Sequence, residues 1–256
     1  MDKEQELKYL KEWGFEKRAD CEKYIEEKVK EIDTDAVRLF RQFDGRVEEW
    51  IKDFLENKRE RFVAEVVRGK PLKSTGRILD KMLYSCEEYE RWIKILETDQ
   101  EKEKLKRPNP ENFLLTITDV VRFRILCNYL SDVHYFDKKL SGLPDEFEKM
   151  KFKKRDNYIQ TPYHERRVGH RSVQYVFKYL DDLNPFLFEV QLMTQLQNAW
   201  DKKDHHLIYE YVRIGRAEKI PLHMKNRMAA MSEVLYVADT VFDTLKKEII
   251  DIIGEE

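Results

Sequence analysis

Apolar residues recur at every third or fourth position near both ends of the chain, a spacing that places them on one face of an α-helix. The N-terminal pattern starts with Leu7, Leu10 and Trp13. It continues with Val37, Phe40, Phe43, Val47, Trp50, Ile51 and Phe54. A similar pattern follows Pro221, a residue suited to the first turn of a helix. The sequence therefore predicts helices over residues 3–65 and 221–249, on either side of a central region with a different pattern.

In the central region the apolar pattern has a period of two residues, which is typical of a β-strand. Arg171, Val173, Tyr175 and Phe177 alternate with Ser172, Gln174, Val176 and Lys178. Asn184 and Pro185 then interrupt the chain, and the next apolar run carries Glu189 and Gln191 on the same face of its pleat. Two successive strands are predicted, the second with a carboxylate among apolar residues.

Three further segments complete the outline of the central region. Residues 117–130 contain Asp119 and continue as an apolar strand, and residues 195–209 have helical character. Residues 131–167 are interpreted as loop and short helix. Because strands alternate with helices, the sequence predicts an α/β fold.

Composition and charge narrow the class of protein. The 256 residues are 41% hydrophobic and 38% charged, which is enough for a core surrounded by solvated helices. The net charge of −2 does not indicate nucleic-acid binding over the whole surface. No apolar run approaches the roughly 20 residues of a membrane helix, and the N-terminus has no signal-peptide pattern. The 3 widely spaced cysteines form neither a zinc pattern nor a disulfide framework, so a cytoplasmic protein without membrane contact is expected.

Two basic segments are candidate phosphate-binding surfaces. A helix is predicted to begin near Ser74, with Arg77 and Lys81 on successive turns, and cations at a helix N-terminus suit a triphosphate. An ordinary basic loop is the alternative. Residues 149–167 interleave basic side chains with two tyrosines, which suits the phosphates of nucleotides or RNA, or a solvated surface loop.

Three segments resemble the synthetase domain of the RelA/SpoT-type alarmone synthetases. They are Gly169-His-Arg-Ser-Val-Gln174, Glu189-Val-Gln-Leu-Met-Thr194 and Asn198-Ala-Trp-Asp-Lys-Lys-Asp-His205. The family patterns are Gly-Tyr-Arg-Ser-x-His, Glu-x-Gln-x-Arg-Thr and Asn-x-Trp-(x)3-Glu-His. The chain departs from these patterns at His170, Gln174, Met193 and Asp204.

Two upstream segments strengthen the resemblance. Arg68, Lys70 and Ser74 fit the pattern Arg-x-Lys-(x)3-Ser, which grips the donor ATP in the family. Asp119 and Arg124 fit the pattern Asp-x-x-Gly-x-Arg. The chain departs from the family at Ile78, where a further Lys is usual and where Arg77 or Lys81 is the candidate substitute, and at Arg122, where the family has Gly.

The resemblance implies a fold and a division of the chain. The fold is a mixed sheet of about five strands, a nucleotidyltransferase-like synthetase fold flanked by N-terminal and C-terminal helices. Residues 1–60 are then an N-terminal helical segment, residues 61–212 the synthetase domain, and residues 213–256 a helical extension packed on the core.

The resemblance also implies a reaction and its residues. In the family, the β,γ-pyrophosphate of ATP moves to the ribose 3′-hydroxyl of GDP or GTP, and AMP is released. Catalysis and Mg²⁺ binding are expected of Asp119 and Glu189, and Glu189 also activates the hydroxyl. The residues expected around the donor ATP are Arg68, Lys70, Ser74, Arg77 and Arg124. The residues expected around the acceptor are Gly169, His170, Arg171, Asn198, Asp204, Gln191 and His205.

Particular roles are implied for some acceptor residues. His170 is expected to stack on the base where the family has Tyr, and Asn198 and Asp204 to hydrogen-bond the purine edge. Gly169 is expected to let the backbone approach the ligand. Arg171 and Lys178 are expected to stabilise phosphate charge.

Two other functions stay open at this point. One is a toxin-type synthetase that pyrophosphorylates the 3′ end of tRNA or makes adenosine alarmones. The other is a nucleotide- or RNA-binding regulator that has lost catalysis, as the departures at Arg122, Gln174 and Met193 suggest. The family's hydrolase motif of His and Asp is missing upstream and no regulatory extension follows, so synthesis without hydrolysis by a small stand-alone synthetase is expected. A homo-oligomer is a further expectation.

Overall fold

The computed structural model describes residues 3–58, 64–66, 72–98, 100, 102, 105–147, 149–160, 169–181, 183–213 and 219–254. Its helices are α1 (Lys3–Glu12), α2 (Arg18–Lys58), α3 (Thr75–Ile95), α4 (Phe113–Thr116), α5 (Leu130–Glu146), α6 (Gln195–Asp204), α7 (Glu210–Arg213) and α8 (Leu222–Gly254), with a π-helical turn at His205–Tyr209 between α6 and α7. Its strands are β1 (Ala64–Val66), β2 (Val121–Cys127), β3 (Met150–Asn157), β4 (Val173–Tyr179) and β5 (Phe186–Thr194). None of the helices in the described residues is both long and apolar enough to cross a membrane.

The strands form one mixed sheet in the order β1-β2-β5-β4-β3. Strands β2 and β5 are parallel, and the other neighbouring pairs are antiparallel. The prediction of a mixed α/β sheet of about five strands with flanking helices is thereby confirmed.

One face of the sheet forms the main hydrophobic core. Alternate residues of β2, β4 and β5 pack against the apolar faces of α2 and α5. At the centre, Phe123 contacts Phe43 and Phe188 with ring centroids 5.0 and 5.7 Å apart, and Phe177 stacks on Phe188 at 5.3 Å. Helices α1, α3 and α4 enclose a second, smaller core with the start of α2. The period-two pattern of the central region is thus explained, because every second residue of these strands enters the main core.

The opposite face of the sheet carries polar side chains, and the strand register aligns them. Arg122 on β2 lies beside Glu189 on β5, and Arg124 lies beside Gln191. On the other side of β5, Gln174 of β4 also pairs with Gln191. Because paired residues in adjacent strands project to the same face, these five side chains share one surface.

The interpretation of residues 131–167 as loop and short helix is wrong for two segments. Helix α5 occupies 17 residues, and β3 forms an edge strand of 8 residues with the sequence MKFKKRDN. Most β3 side chains are exposed and charged, so the strand has little of the apolar alternation that marks a half-buried strand. Charged edge strands are common because they discourage pairing with a second sheet.

Candidate active site

Asp119 lies two residues before the start of β2, and its carboxylate contacts two lysines. The backbone N–H of Lys73 donates to the carbonyl of Val120 (3.0 Å), which holds the segment before α3 against β2. From there the Lys73 ammonium donates to Asp119 Oδ2. The Lys81 ammonium reaches the same carboxylate from the second turn of α3 and lies 3.2 Å from both of its oxygens, with hydrogen-bond geometry to Oδ2.

The two lysines determine the charge of Asp119. Burial alone raises the pKa of this carboxyl, but the positive charges of Lys81 and Lys73 outweigh burial and hold the pKa well below its usual range. Burial also lowers the pKa of Lys73 to about 8, although the Asp119 charge acts in the opposite direction. Asp119 is therefore an ionised carboxylate at neutral pH.

Glu189 lies near the middle of β5, and its pKa shifts in the opposite direction to that of Asp119. Its carboxyl is buried, and both burial and the negative charge of Asp119 raise its pKa. The cations Arg122, Lys81 and Lys73 act against that rise. Gln191 Nε2 donates to Glu189 Oε1 (2.7 Å), which fixes one oxygen of the carboxyl. Two neighbouring carboxyls whose environments separate their pKa values are typical of acid–base sites.

Arg124 connects the sheet to helix α6. Its guanidinium donates to Gln191 Oε1 (2.8 Å), to Asn198 Oδ1 (2.6 Å) and to Asp201 Oδ2 (3.2 Å). Burial lowers the pKa of Arg124, and the Asp201 charge opposes that change. The structure therefore brings Arg124, Gln191 and Asn198 together, as one network beside Glu189.

His170 is buried beneath this network, with only 3% of its surface exposed. Its Nδ1 lies 3.0 Å from Asp201 Oδ1, and its Nε2 lies 2.8 Å from Ser172 Oγ and 3.0 Å from Gln174 Nε2. The ring therefore presents little surface on which a base could stack in this conformation, and the stacking role stays a prediction.

Gly169 has a structural reason to be glycine. Its φ is +100°, in the left-handed region, and a Cβ atom there would lie 2.9 Å from Trp200 Cζ2 and 3.3 Å from Ala229 Cα. Its carbonyl accepts a hydrogen bond from Ser232 Oγ. Gly169 thus closely approaches α6 and α8 within the protein, and the expected approach of its backbone to a ligand stays a prediction.

Arg171 makes its contacts with the Ile159 carbonyl and with α8, and its expected role towards phosphate stays a prediction. The guanidinium donates to the Ile159 carbonyl and to Glu233 Oε1 (2.6 Å), and it lies 4.1 Å from the Tyr236 ring centroid. In the period-two pattern, Arg171 alternates with Ser172 and Gln174, which point towards His170. Arg171 therefore anchors α8 to the domain.

The remaining candidates are dispersed. Arg68 and Lys70 lie outside the described residues. Ser74 caps α3 without a side-chain hydrogen bond to it, and Ser74 and Arg77 are exposed. Asp204 is buried, and His205 Nδ1 lies 3.2 Å from Glu210 Oε1.

Two residues of the site were not among the sequence candidates. Lys73 directly precedes the predicted helix start, and its proximity to the motif Arg68-x-Lys70 was an available signal. Asp201 lies three residues after Asn198, so both occupy the same face of α6. Ile78, at the position of the family's further Lys, is fully buried in the smaller core, and Lys81 is the α3 lysine that reaches Asp119.

The carboxylate pair fits the Mg²⁺ that the resemblance implies. Asp119 Oδ1 is buried and accepts no hydrogen bond within the described residues. The adjacent Asp119 charge also destabilises the ionised form of Glu189. A cation would relieve both conditions. No group of three or more His, Cys, Asp or Glu side chains among the described residues forms a metal site. Asp119 and Glu189 would thus hold the ion together with phosphate oxygens and water, as is usual for Mg²⁺.

Comparison with known proteins agrees with this fold. Residues 93–213 match the family model described as a region found in RelA / SpoT proteins. No curated protein sequence matches the chain significantly.

Solved structures resemble the chain over most of its length. A GTP pyrophosphokinase family protein from Streptococcus pneumoniae is 20% identical with a TM-score of 0.57, and the match covers 87% of this chain and 95% of that one. Small alarmone synthetase 1 from Bacillus subtilis, bound to its product pppGpp, is 20% identical with a TM-score of 0.58, over 84% and 94%. Small alarmone synthetase 2 from Bacillus subtilis is 17% identical with a TM-score of 0.55, over 86% and 98%.

The protein therefore has the fold of the small alarmone synthetases, with a paired-carboxylate site on the polar face of its sheet. Within that fold, residues 93–213 match the model of a region found in RelA / SpoT proteins. The domain boundaries at residues 60 and 212 stay a prediction, although the family match ends at residue 213.

Proposed function

We propose that the chain transfers the β,γ-pyrophosphate of ATP to the 3′-hydroxyl of GDP or GTP. The observation that carries this proposal is the pair of buried carboxylates, Asp119 and Glu189, within a RelA/SpoT region and among the cations Lys73, Lys81 and Arg122. A dense set of cations around two carboxylates suits a polyphosphate and its metal ion, since phosphoryl transfer depends on positioning and charge neutralisation.

The donor ATP would bind on the side of β2 that faces α3. Lys73 and Lys81 neutralise Asp119 in the free protein, and their ammonium groups are close enough to serve phosphate oxygens as well. Arg122 is exposed on the same face and extends this cationic surface. Mg²⁺, when bound, would neutralise phosphate charge and orient the β-phosphorus.

The reaction itself requires one base and one in-line displacement. Glu189 would accept the proton of the 3′-hydroxyl while the hydroxyl oxygen forms a bond to the β-phosphorus of ATP. The bond between that phosphorus and the oxygen bridging to the α-phosphorus breaks, and AMP leaves with that oxygen. The hydrogen bond from Gln191 leaves Glu189 with one oxygen available for the proton.

The acceptor would bind over β4 and β3. Lys178 of β4 lies beside Leu187, and Lys154 of β3 lies beside Val176, which itself pairs with Glu189. Lys154 and Lys178 therefore project from the same face of the sheet as Glu189. Two strand spacings, about 10 Å, separate β3 from β5. They are suited to the phosphates of an acceptor whose 3′-hydroxyl reaches Glu189.

The exposed lysines of β3 also favour a second acceptor, the 3′ end of tRNA. Lys151, Lys153 and Lys154 form a basic edge on the acceptor side of the sheet. A longer polyanion could extend along this edge, and its binding would depend strongly on salt.

An acceptor panel tests both candidates. ATP labelled on its β- and γ-phosphates is incubated with GDP, GTP, ATP or deacylated tRNA, with Mg²⁺ present, and labelled product and AMP are measured. Label on GDP or GTP with equimolar AMP supports the first function. Label on tRNA, or in a new product that carries the pyrophosphate on the 3′-hydroxyl of ATP, assigns the alternative acceptor. Absence of both label transfer and AMP release in every reaction refutes transferase activity.

A further inference from the structure

Tyr158 directly follows β3 and lies beside His170 on the polar face of the sheet. Its backbone N–H donates to the Ser172 carbonyl (2.9 Å), which extends the pairing of β3 with β4 by one more hydrogen bond. Because successive residues of a strand point to opposite faces, Tyr158 projects to the same face as Asp156, which pairs with Gln174. The centroids of the Tyr158 and His170 rings are 6.4 Å apart. The Tyr158 ring therefore lies on the acceptor side of the candidate site.

The backbone around Tyr158 is held on both sides of the residue. Asn157 Oδ1 accepts a hydrogen bond from the Ile159 N–H (3.0 Å), which turns the chain at the end of β3. The Ile159 side chain is buried in the main core, and its carbonyl accepts a hydrogen bond from the Arg171 guanidinium. A tyrosine on a fixed backbone has only two side-chain torsions, so it loses little conformational entropy when a ligand contacts its ring.

Two other aromatic rings near Tyr158 are turned into the protein. His170 is buried, and its Nδ1 lies 3.0 Å from Asp201 Oδ1. The Trp200 side chain is also buried, and its indole N–H donates to the Met228 carbonyl (2.7 Å). Tyr158 is only half-buried, so part of its side chain is open to solvent. Of these three rings, the Tyr158 ring is the one that a ligand can reach.

The distance between Tyr158 and the basic residues of β3 suits one nucleotide. Tyr158 lies four positions after Lys154, which corresponds to about 13 Å along a strand. Glu189 is level with Lys154, across Val176 of β4. Burial is the main cause that raises the pKa of Tyr158, and the negative charges of Asp156 and Glu189 act in the same direction. The phenol therefore lies within electrostatic reach of the proposed base.

We propose that Tyr158 is the aromatic residue on which the purine base of the acceptor nucleotide stacks. The base would lie against the exposed side of the phenol ring, with the ribose over Glu189 and the phosphates towards Lys154 and Lys178. Stacking recognises the face of a purine and not its edge, so Tyr158 supplies affinity, and the choice between guanine and adenine falls to other groups. This inference rests on the acceptor site of the proposed function.

Titration calorimetry of the full chain with GDP tests the stacking. Tyr158→Leu keeps an apolar side chain but removes the ring, and it should raise the dissociation constant for GDP by about 10-fold or more. Tyr158→Phe keeps the ring and should bind GDP as the parent does. The dissociation constant for the α,β-methylene analogue of ATP should stay the same in both variants, because the donor binds on the other side of the sheet.

Phe152→Leu is the matched control for the loss of a ring from β3. The Phe152 ring lies 6.2 Å from the ring of Phe177, which belongs to the main core on the opposite face of the sheet. This variant should leave the affinity for GDP unchanged.

The proton spectrum of bound GDP gives a second readout. A stacked aromatic ring shifts the guanine H8 resonance upfield, so the shift should appear with the parent and with Tyr158→Phe and disappear with Tyr158→Leu. Unchanged GDP affinity in Tyr158→Leu, an equal loss of affinity for GDP and for the ATP analogue, or a parent protein that does not bind GDP would overturn the inference.

Single-turnover transfer separates this inference from the proposed function. If Tyr158→Leu binds GDP as tightly as the parent and still transfers pyrophosphate to it, the stacking role is wrong and the reaction stands. If GDP binding depends on Tyr158 but the parent transfers pyrophosphate to no acceptor, the reaction is wrong and the stacking role stands.

Discussion

Arg122 lies beside Glu189 in the parallel register of β2 and β5, at the position where the family pattern has glycine. Burial raises the pKa of Glu189, and the charge of the exposed Arg122 guanidinium acts against that rise. Arg122 therefore adds positive charge to the carboxylate pair without filling the core. The departure from the family therefore places a cation at the site.

Removing this cation should weaken binding of the donor. Arg122→Ala is expected to raise the KM for ATP by about 10-fold or more, since a charge-assisted contact to phosphate contributes roughly 1.5–3 kcal/mol. The acceptor KM should change much less. Arg91→Ala, which removes an exposed arginine from the far end of α3, serves as the control in the same assay. An unchanged KM for ATP in Arg122→Ala would show that Arg122 does not contribute to donor binding, and a lower KM would show that it obstructs the site.

Replacing Gly169 should destabilise the protein through packing and backbone strain. Gly169→Ala puts a methyl group 2.9 Å from Trp200 Cζ2 at a φ of +100°. We expect a loss of about 2 kcal/mol or more in the free energy of unfolding, measured by urea denaturation. Gly45→Ala is the matched substitution, because Gly45 lies within α2 and nothing lies within 4 Å of its added Cβ. It should stabilise by about 0.5–1 kcal/mol. Equal effects at both positions would contradict the packing assigned to Gly169.

The buried Asp239 should make stability depend on pH. Burial raises its pKa to about 6 from a usual 3.8, so the folded protein holds this proton more tightly than the unfolded chain does. The free energy of unfolding contributed by this group is highest below pH 4 and falls as pH rises through 6, by roughly 2–3 kcal/mol in all. Asp239→Asn should remove that decline and raise stability at pH 7.

The neighbouring Asp243 provides a control of opposite sign. Burial raises the pKa of Asp243, but the hydrogen bonds from Ser131 and the positive charge of Lys247 outweigh burial. The net result is a pKa below its usual value. Asp243→Asn should therefore reduce stability at pH 7. If both asparagine variants change the free energy of unfolding in the same direction, the charge states assigned to Asp239 and Asp243 are incorrect.

Much of the fold follows from sequence periodicity. Strands β4 and β5 bury every second residue in the main core, so their alternation identified them and placed Glu189 and Gln191 on one face. Strand β3 was missed because its charged side chains lie at the sheet edge, where no core imposes a pattern.

The site was less accessible to sequence reasoning because side-chain direction depends on tertiary contacts. Arg171 matches its motif, yet its guanidinium binds Glu233 of α8, 62 residues later. Asp201 and Lys73 acquire their roles from Arg124 and Asp119, which are distant in sequence. Local patterns cannot reveal such pairs.

The rate of pyrophosphate transfer in Glu189→Gln tests the central claim most directly. The amide keeps the size and the Gln191 contact of the carboxyl but cannot take the hydroxyl proton. Single-turnover AMP release with saturating ATP and acceptor should fall by about 100-fold or more, while thermal unfolding remains close to that of the parent. Asp53→Asn, which removes an ion-paired carboxylate from α2, should leave the rate unchanged. Transfer at the parental rate by a folded Glu189→Gln protein would contradict the role of Glu189 as the base.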